Sequence, residues 1–138
     1  QARGPRVIVV DSNILAYLYL PGPWAAAAES LFEEDPHWAA PSLWRSEFRN
    51  ILAGLLRRGD VGFEQACALQ REAEALMAES TFDVDTLSVF EHVAHSDCST
   101  YDCEFVALAH QLGTRLFTMD KKILRAFPDR AVPLTLIP

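Results

Sequence analysis

Val7-Ile8-Val9-Val10 is apolar on both faces and too short for a buried helix, and Asp11 and the polar pair Ser12-Asn13 follow it at once. Such a run reads as a strand covered on both sides, the kind found in parallel sheets. Helical spacing then begins at Ser12 and stops before Pro21-Gly22-Pro23, a strong breaker. A second helix is expected from Trp24 to about Glu34, and HWAAP (37–41) as a short strand. Ser42 is expected to cap a long helix that ends near Arg58, before Gly59-Asp60. Further helices are expected over 63–80 and 86–95, with a strand at TFDV (81–84) between them. Tyr101 to Leu112 has helical spacing and closes on Gly113. TRLFTM (114–119) reads as a strand, DKKILRAF (120–127) as a helix and VPLTLI (132–137) as a last strand. Strands alternating with helices require a parallel sheet with both faces covered. The expected fold class is therefore α/β, a three-layer α/β/α sandwich on a parallel sheet of four or five strands. No linker, repeat or low-complexity segment interrupts it, so residues 1–138 are expected to form a single domain.

The 138 residues can bury roughly 68% of their unfolded surface in one core. Half are apolar and 22% charged, which excludes a disordered chain. No apolar run approaches the roughly 18 to 20 residues of a membrane span, so no membrane partner is expected. No charged-then-apolar leader stands at the start, although the chain begins at Gln1 rather than Met, which leaves its natural start open. Cys67, Cys98 and Cys103 are odd in number, which suits a reducing cytoplasm. Cys98 and Cys103 have no matching Cys or His pair for zinc and are expected to be packing residues. The net charge of −7 argues against a passive nucleic-acid binder, unless the acids are gathered in one place and neutralised by metal.

In open parallel sheets, ligands bind beyond the C-terminal strand ends, where strand order reverses. Asp11 and Asp120 both stand at a strand-to-helix junction, so two strands deliver carboxylates to the same sheet edge. Each is also a good helix cap, and the two readings compete. Asp102 opens a helix on the stripe of Phe105, Val106 and Ala109, while Glu104 and Gln111 lie off that stripe. Glu47 lies inside a helix at the border of the apolar arc, between Leu43 and Ile51, where capping is no explanation. Buried charges are rare unless paired or metal-bound, so a salt bridge to Arg58 or a lysine competes with a metal site. Carboxylates about 4 Å apart repel by roughly 4 kcal/mol at an effective dielectric of 20. Four converging acids thus call for a cation, and an oxygen-only ligand set selects Mg2+ or Mn2+. One such ion, or two about 4 Å apart, activates water for attack on a phosphodiester. His37, His92, His95 and His110 lack ligand spacing, and no GxGxxG, P-loop or nucleophile triad occurs.

With those residues in view, VVDSNILAYLY, the isolated Glu47 and CSTYDCEFVALAHQLGTRLFTMDKKIL resemble a PIN domain, and more narrowly the VapC-type toxins of toxin–antitoxin pairs. The resemblance covers nearly the whole chain. It implies a metal-dependent endoribonuclease whose Asp11, Glu47, Asp102 and Asp120 are both the metal-binding and the catalytic residues, with Asn13 and Thr118 as polar supports. It implies Mg2+ (or Mn2+) as cofactor, RNA as substrate, a homodimer, and a small DNA-binding antitoxin that blocks the acidic site. Where some relatives carry a further acid after Asp120, this chain has Lys121 and Lys122. Grip on RNA is left to Arg45, Arg49, Arg57, Arg58, Lys121, Lys122 and Arg125, with Arg45, Arg49 and Lys121 the foremost candidates. Tyr17, Tyr19, Trp24 and Trp44 are apolar surface candidates for a partner, against the ordinary alternative that they are core.

Two other functions compete with the toxin: a stand-alone PIN nuclease for RNA maturation, and a non-catalytic interaction module that uses the aromatic surface. A haloacid-dehalogenase-type phosphatase also starts on a strand ending in Asp, but it needs a second Asp where this chain has Asn13.

Overall fold

A computed structural model of the chain describes residues 6–136. Five parallel strands form one sheet: β1 (Val7–Val10), β2 (His37–Pro41), β3 (Thr81–Phe82), β4 (Leu116–Phe117) and β5 (Ala131–Val132). The seven helices among the described residues are α1 (Ser12–Tyr19), α2 (Ala25–Glu34), α3 (Trp44–Arg58), α4 (Phe63–Leu76), α5 (Thr86–Ala94), α6 (Thr100–Leu112) and α7 (Lys121–Ala126). The strand order is β3-β2-β1-β4-β5, so the chain builds outward from β1 on one side and then crosses to build the other. Right-handed crossovers place connections that run in opposite directions on opposite faces. The helices between β1 and β3 therefore cover one face and α5 to α7 the other, which is the expected three-layer sandwich. Strand order reverses between β1 and β4, which puts the ligand-binding crevice at their C-terminal ends. No helix among the described residues is long and apolar enough to cross a membrane.

The core sits on both faces of β1. Ile8, Val9, Val10, Leu116 and Phe105 are buried, and Trp44 and Phe48 anchor α3 beneath the sheet. Trp44 is fully buried, stacks edge-on with Phe48 and donates its indole N–H to Thr81 Oγ1 at 2.9 Å. This corrects the expectation of a surface role for Trp44. A periodicity cannot say which of several aromatics on one helix turns inward. Tyr17, Tyr19 and Trp24 are half-buried. Cys98 and Cys103 are buried as expected, and burial pushes both thiols up, towards inert packing.

Several boundaries differ from the sequence reading. Ser42 does not cap α3: its backbone N–H donates to Phe82 O and its hydroxyl to Asp83, so it continues the pairing with β3. Leu43 takes the cap position without a side-chain hydrogen bond. α4 ends at Leu76 rather than near Ser80, because Ser80 O accepts from Ala40 N and is drawn into the β2–β3 ladder. β3 and β4 are two residues each, shorter than the four- and six-residue runs expected. β5 is Ala131–Val132 instead of 132–137, since Pro133 has no N–H with which to extend a ladder. Ile137 lies outside the described residues. Gly113, at φ 64°, and Gly59, at φ 78°, close α6 and α3 in the left-handed conformation that their positions foretold.

Candidate active site

The crevice at the sheet's switch point is a cavity of about 470 Å3, and its walls include Asp11, Glu47, Asp102 and Asp120. Each acid arrives on a different element. Asp11 follows β1, and its backbone N–H donates to Phe117 O, which ties it to β4. Glu47 rides in the first turn of α3, Asp102 in the first turn of α6, and Asp120 caps α7. Asn13, exposed on α1, lines the same wall.

The competition between capping and a shared site dissolves at this level. Asp11 accepts from Ser12 N at 2.7 Å with Oδ1, and from the Thr118 hydroxyl at 2.7 Å with Oδ2. Asp120 accepts from the N–H groups of Lys122 and Ile123 with Oδ1 alone. A carboxylate has two oxygens, so Asp120 caps its helix and still presents an edge to the cavity. Asp102 is not the cap of α6; Ser99 is, and its hydroxyl accepts from Asp102 N.

Thr118 is wholly buried and holds the two strand ends together. Its hydroxyl donates to Asp11 and accepts from Asp120 N at 3.0 Å. Ser12 plays the corresponding part for Glu47, donating to Oε1 at 2.7 Å across 35 residues of sequence. Sequence reasoning read Ser12 as turn material and missed this role. It also missed Tyr101, which lines the cavity, and Glu104, whose charge acts on Glu47 from the same helix as Asp102. Ser12 left a faint signal, a small polar residue beside a strand-terminal acid that proves buried.

The electrostatics are one-sided. Burial is the main cause that raises the Asp11 carboxyl above its ordinary value; the bonds from Thr118 and Ser12 oppose it, and the charges of Asp102 and Asp120 add to it. Glu47 is likewise raised, first by burial, then by Asp11, Asp102 and Glu104, against the pull of the Ser12 bond. Among the described residues no Lys or Arg forms an ion pair with any of the four acids. The expected competitor for Glu47 is thus corrected: Arg58 pairs with its near neighbour Asp60. Arg45, Arg49 and Lys121 do not line the cavity. Arg49 pairs with Glu74 at 3.7 Å and lines a groove between α3 and α4, Arg45 is half-buried, and Lys121 is exposed on α7.

The profile of the PIN domain family matches residues 8–128. The chain belongs to the PIN domain family. It is 28% identical over 130 residues to a protein named Ribonuclease VapC3 from Pyrobaculum aerophilum, covering 91% of this chain and 98% of that one. In fold it is similar to FitAcB from Neisseria gonorrhoeae, with a TM-score of 0.71, 16% identity, and 93% and 96% of the two chains covered. A toxin-antitoxin complex from Klebsiella pneumoniae is similar too, with a TM-score of 0.67, 19% identity, and 94% and 99% covered.

Whether this PIN domain's acids suit a metal rests on their chemistry and spacing. Four carboxylates without a protein cation form the hard, oxygen-only donor set of Mg2+ or Mn2+. Among the described residues, however, no three His, Cys, Asp or Glu side chains converge tightly enough to hold an ion as they stand. Asp11, Glu47 and Asp120 follow their own donors, and the repulsion among the four acids favours separation. The donor set fits; its closure needs side-chain movement within the cavity.

Thr118→Val tests the clamp that joins Asp11 and Asp120. It keeps the shape but strands Asp11 Oδ2 and the Asp120 N–H. The expected loss is about 1–3 kcal/mol of stability in thermal unfolding. A fall of about 10- to 100-fold in any metal-dependent activity should accompany it. Thr118→Ser should restore both, and failure of that rescue would reduce Thr118 to a packing residue.

Proposed function

We propose that this PIN domain is a metal-dependent endoribonuclease and the toxin half of a toxin–antitoxin pair, with residues 1–138 as one catalytic domain. The observation that carries the reading is the gathering of four carboxylates from four elements into one cavity, with no lysine or arginine among the described residues in an ion pair with them. A site built for its own sake would not collect mutually repelling acids, two of them with raised carboxyls. The likeness to a protein named a ribonuclease supports RNA as substrate, and the likeness to a toxin-antitoxin complex supports the setting. A reducing cytoplasm, a homodimer and a small DNA-binding antitoxin complete the proposal.

Asp11, Glu47, Asp102 and Asp120 would hold the cation, Mg2+ or Mn2+. When bound, such an ion lowers the pKa of water and steadies charge on a phosphodiester. The chain's own contribution is orientation. Thr118 fixes the Asp11 carboxylate and the start of α7, and Ser12 fixes one oxygen of Glu47. Glu47 Oε2 has no hydrogen-bond partner among the described residues, which leaves it to orient the attacking water or complete the outer coordination. The buried wall behind Asp11 limits competing solvent, and in that wall each carboxylate counts for more than it would in water.

The test is incubation of the purified chain with single-stranded RNA, in Mg2+ or Mn2+ and in chelator, with mapping of the ends produced. Cleavage at defined positions with metal and none in chelator is expected. Equal cleavage in chelator would sink the metal-dependent mechanism, and no cleavage under any condition would sink the nuclease. Expression of the chain alone should arrest growth. Unimpeded growth with active nuclease present would favour a stand-alone processing enzyme.

A further inference from the structure

Beside the acid cavity lies a second, smaller one of about 200 Å3, whose lining includes Tyr17, Trp24, Leu20 and Pro21. It shares Asn13 and Ile51 with the acid cavity, so the two are neighbours across one wall. Tyr17 and Trp24 stack there, with centroids 6.4 Å apart and 26° between the ring planes. Burial first, and then the charge of Asp11, raises the Tyr17 phenol, which places that ring within electrostatic reach of the acids. The Pro21-Gly22-Pro23 turn sets Trp24 over the end of α1 and leaves the space open.

We propose that this cleft is a nucleobase subsite, which takes one unstacked base next to the phosphodiester held at the acids, with Tyr17 and Trp24 as its stacking platform and Asn13 reading the base edge. The proposal rests on the nuclease reading above and adds the substrate's handle to it. Single-stranded RNA is recognised chiefly through bases splayed onto aromatic side chains. Each stacked base contributes about 5- to 150-fold in affinity. An amide side chain carries both a donor and an acceptor, as a base edge requires. The volume falls below the roughly 300 Å3 at which sites for larger ligands begin, so a single ring system fits and a peptide helix does not. The subsite also answers how an acidic chain grips RNA when Arg45, Arg49 and Lys121 stand away from the cavity: part of the grip is uncharged.

The experiment uses the full chain carrying Asp102→Asn, so that RNA is bound and left uncut, and an oligonucleotide spanning a cut mapped with the parent protein. Each nucleotide flanking the cut is replaced in turn by an abasic one, and binding is followed by fluorescence anisotropy. One abasic position should weaken binding about tenfold. The same change should cost less than twofold once Tyr17→Leu and Trp24→Leu are also present. Tyr17→Phe, which keeps the ring, should behave as the parent. 2-Aminopurine at that position should be quenched on binding, and the leucine variant should abolish the quench. Thermal unfolding checks each protein, and the single leucine variants carry the same comparison if the pair does not fold. Equal abasic penalties in both proteins, or undiminished RNA binding by the leucine variant, would overturn the subsite. So would a leucine variant that keeps its RNA but no longer binds a protein partner, since the cleft then takes an apolar side chain. A parent protein that neither cuts nor binds RNA would remove the nuclease reading itself, a failure seen before any variant is made.

Discussion

Asp102→Asn should lower RNA cleavage by well over a hundredfold and leave the fold intact. Replacing a group that merely supports a metal ligand costs about 10- to 100-fold. On the proposed reading Asp102 holds the metal directly, so its loss should exceed that range. Stability should scarcely suffer, because the Asp102 carboxylate has no hydrogen-bond partner among the described residues; its backbone N–H, which the variant keeps, makes the bond to Ser99. The helix loses one acid from its first turn, a cost of about 0.3–1 kcal/mol. Against that, the charge that pushes on Asp11 and Glu47 disappears. Rates on labelled RNA, with melting curves in chelator, separate the two effects. A variant that cuts within threefold of the parent would remove Asp102 from the chemistry.

The second large effect is the response of stability to pH and metal. The Asp11 and Glu47 carboxyls are raised in the fold above their ordinary values of 3.8 and 4.5. The folded state therefore holds these protons more tightly than the unfolded chain does. Their contribution is fully present below the unfolded values and is lost as pH rises through the folded ones. In chelator, the parent should become less stable relative to Asp11→Asn as pH climbs from about 4 towards 7, each unit of upward shift corresponding to about 1.4 kcal/mol before solvent screening. The difference between the two proteins carries the Asp11 contribution together with the push of its charge on Glu47. Divalent metal at a hundred times its Kd should add about 2.7 kcal/mol to the parent at pH 7. That is roughly 8 °C in melting temperature for a chain of this length. A parent whose melting is untouched by millimolar Mn2+ would leave the acids without their proposed occupant.

How much of this was visible in the sequence depends on the distance over which each feature is determined. Val7–Val10, the Pro21-Gly22-Pro23 break and the glycines after α3 and α6 act through local backbone preferences, and the elements they imply are present. The acids at strand ends were legible because the sheet places all such ends on one edge. Ser42 failed as a cap because β3 and the residue after it, some forty residues away, claim its N–H and its hydroxyl. For Trp44 the core alternative holds, and the surface candidacy falls because helical spacing shows an arc and not its centre. Ser12 and Glu47 meet only through tertiary structure, so no local pattern announces their bond. The spacing of the four carboxylates lies still further out of reach, since it depends on rotamers that Asp11, Glu47 and Asp120 settle with their own donors.

The pairing of β1 with β4 brings Val9 beside Leu116, and the bond from Thr118 to Asp11 spans 107 residues. The first acid is therefore made 107 residues ahead of the hydroxyl that clamps it, and the crevice assembles only once both are present. Until Thr118 and Asp120 have joined Asp11, the crevice lacks one of its walls and cannot hold a ligand. Loss of the central pairing in the mature protein would disperse the same groups at once. Whatever chemistry the crevice performs is therefore confined to the folded chain.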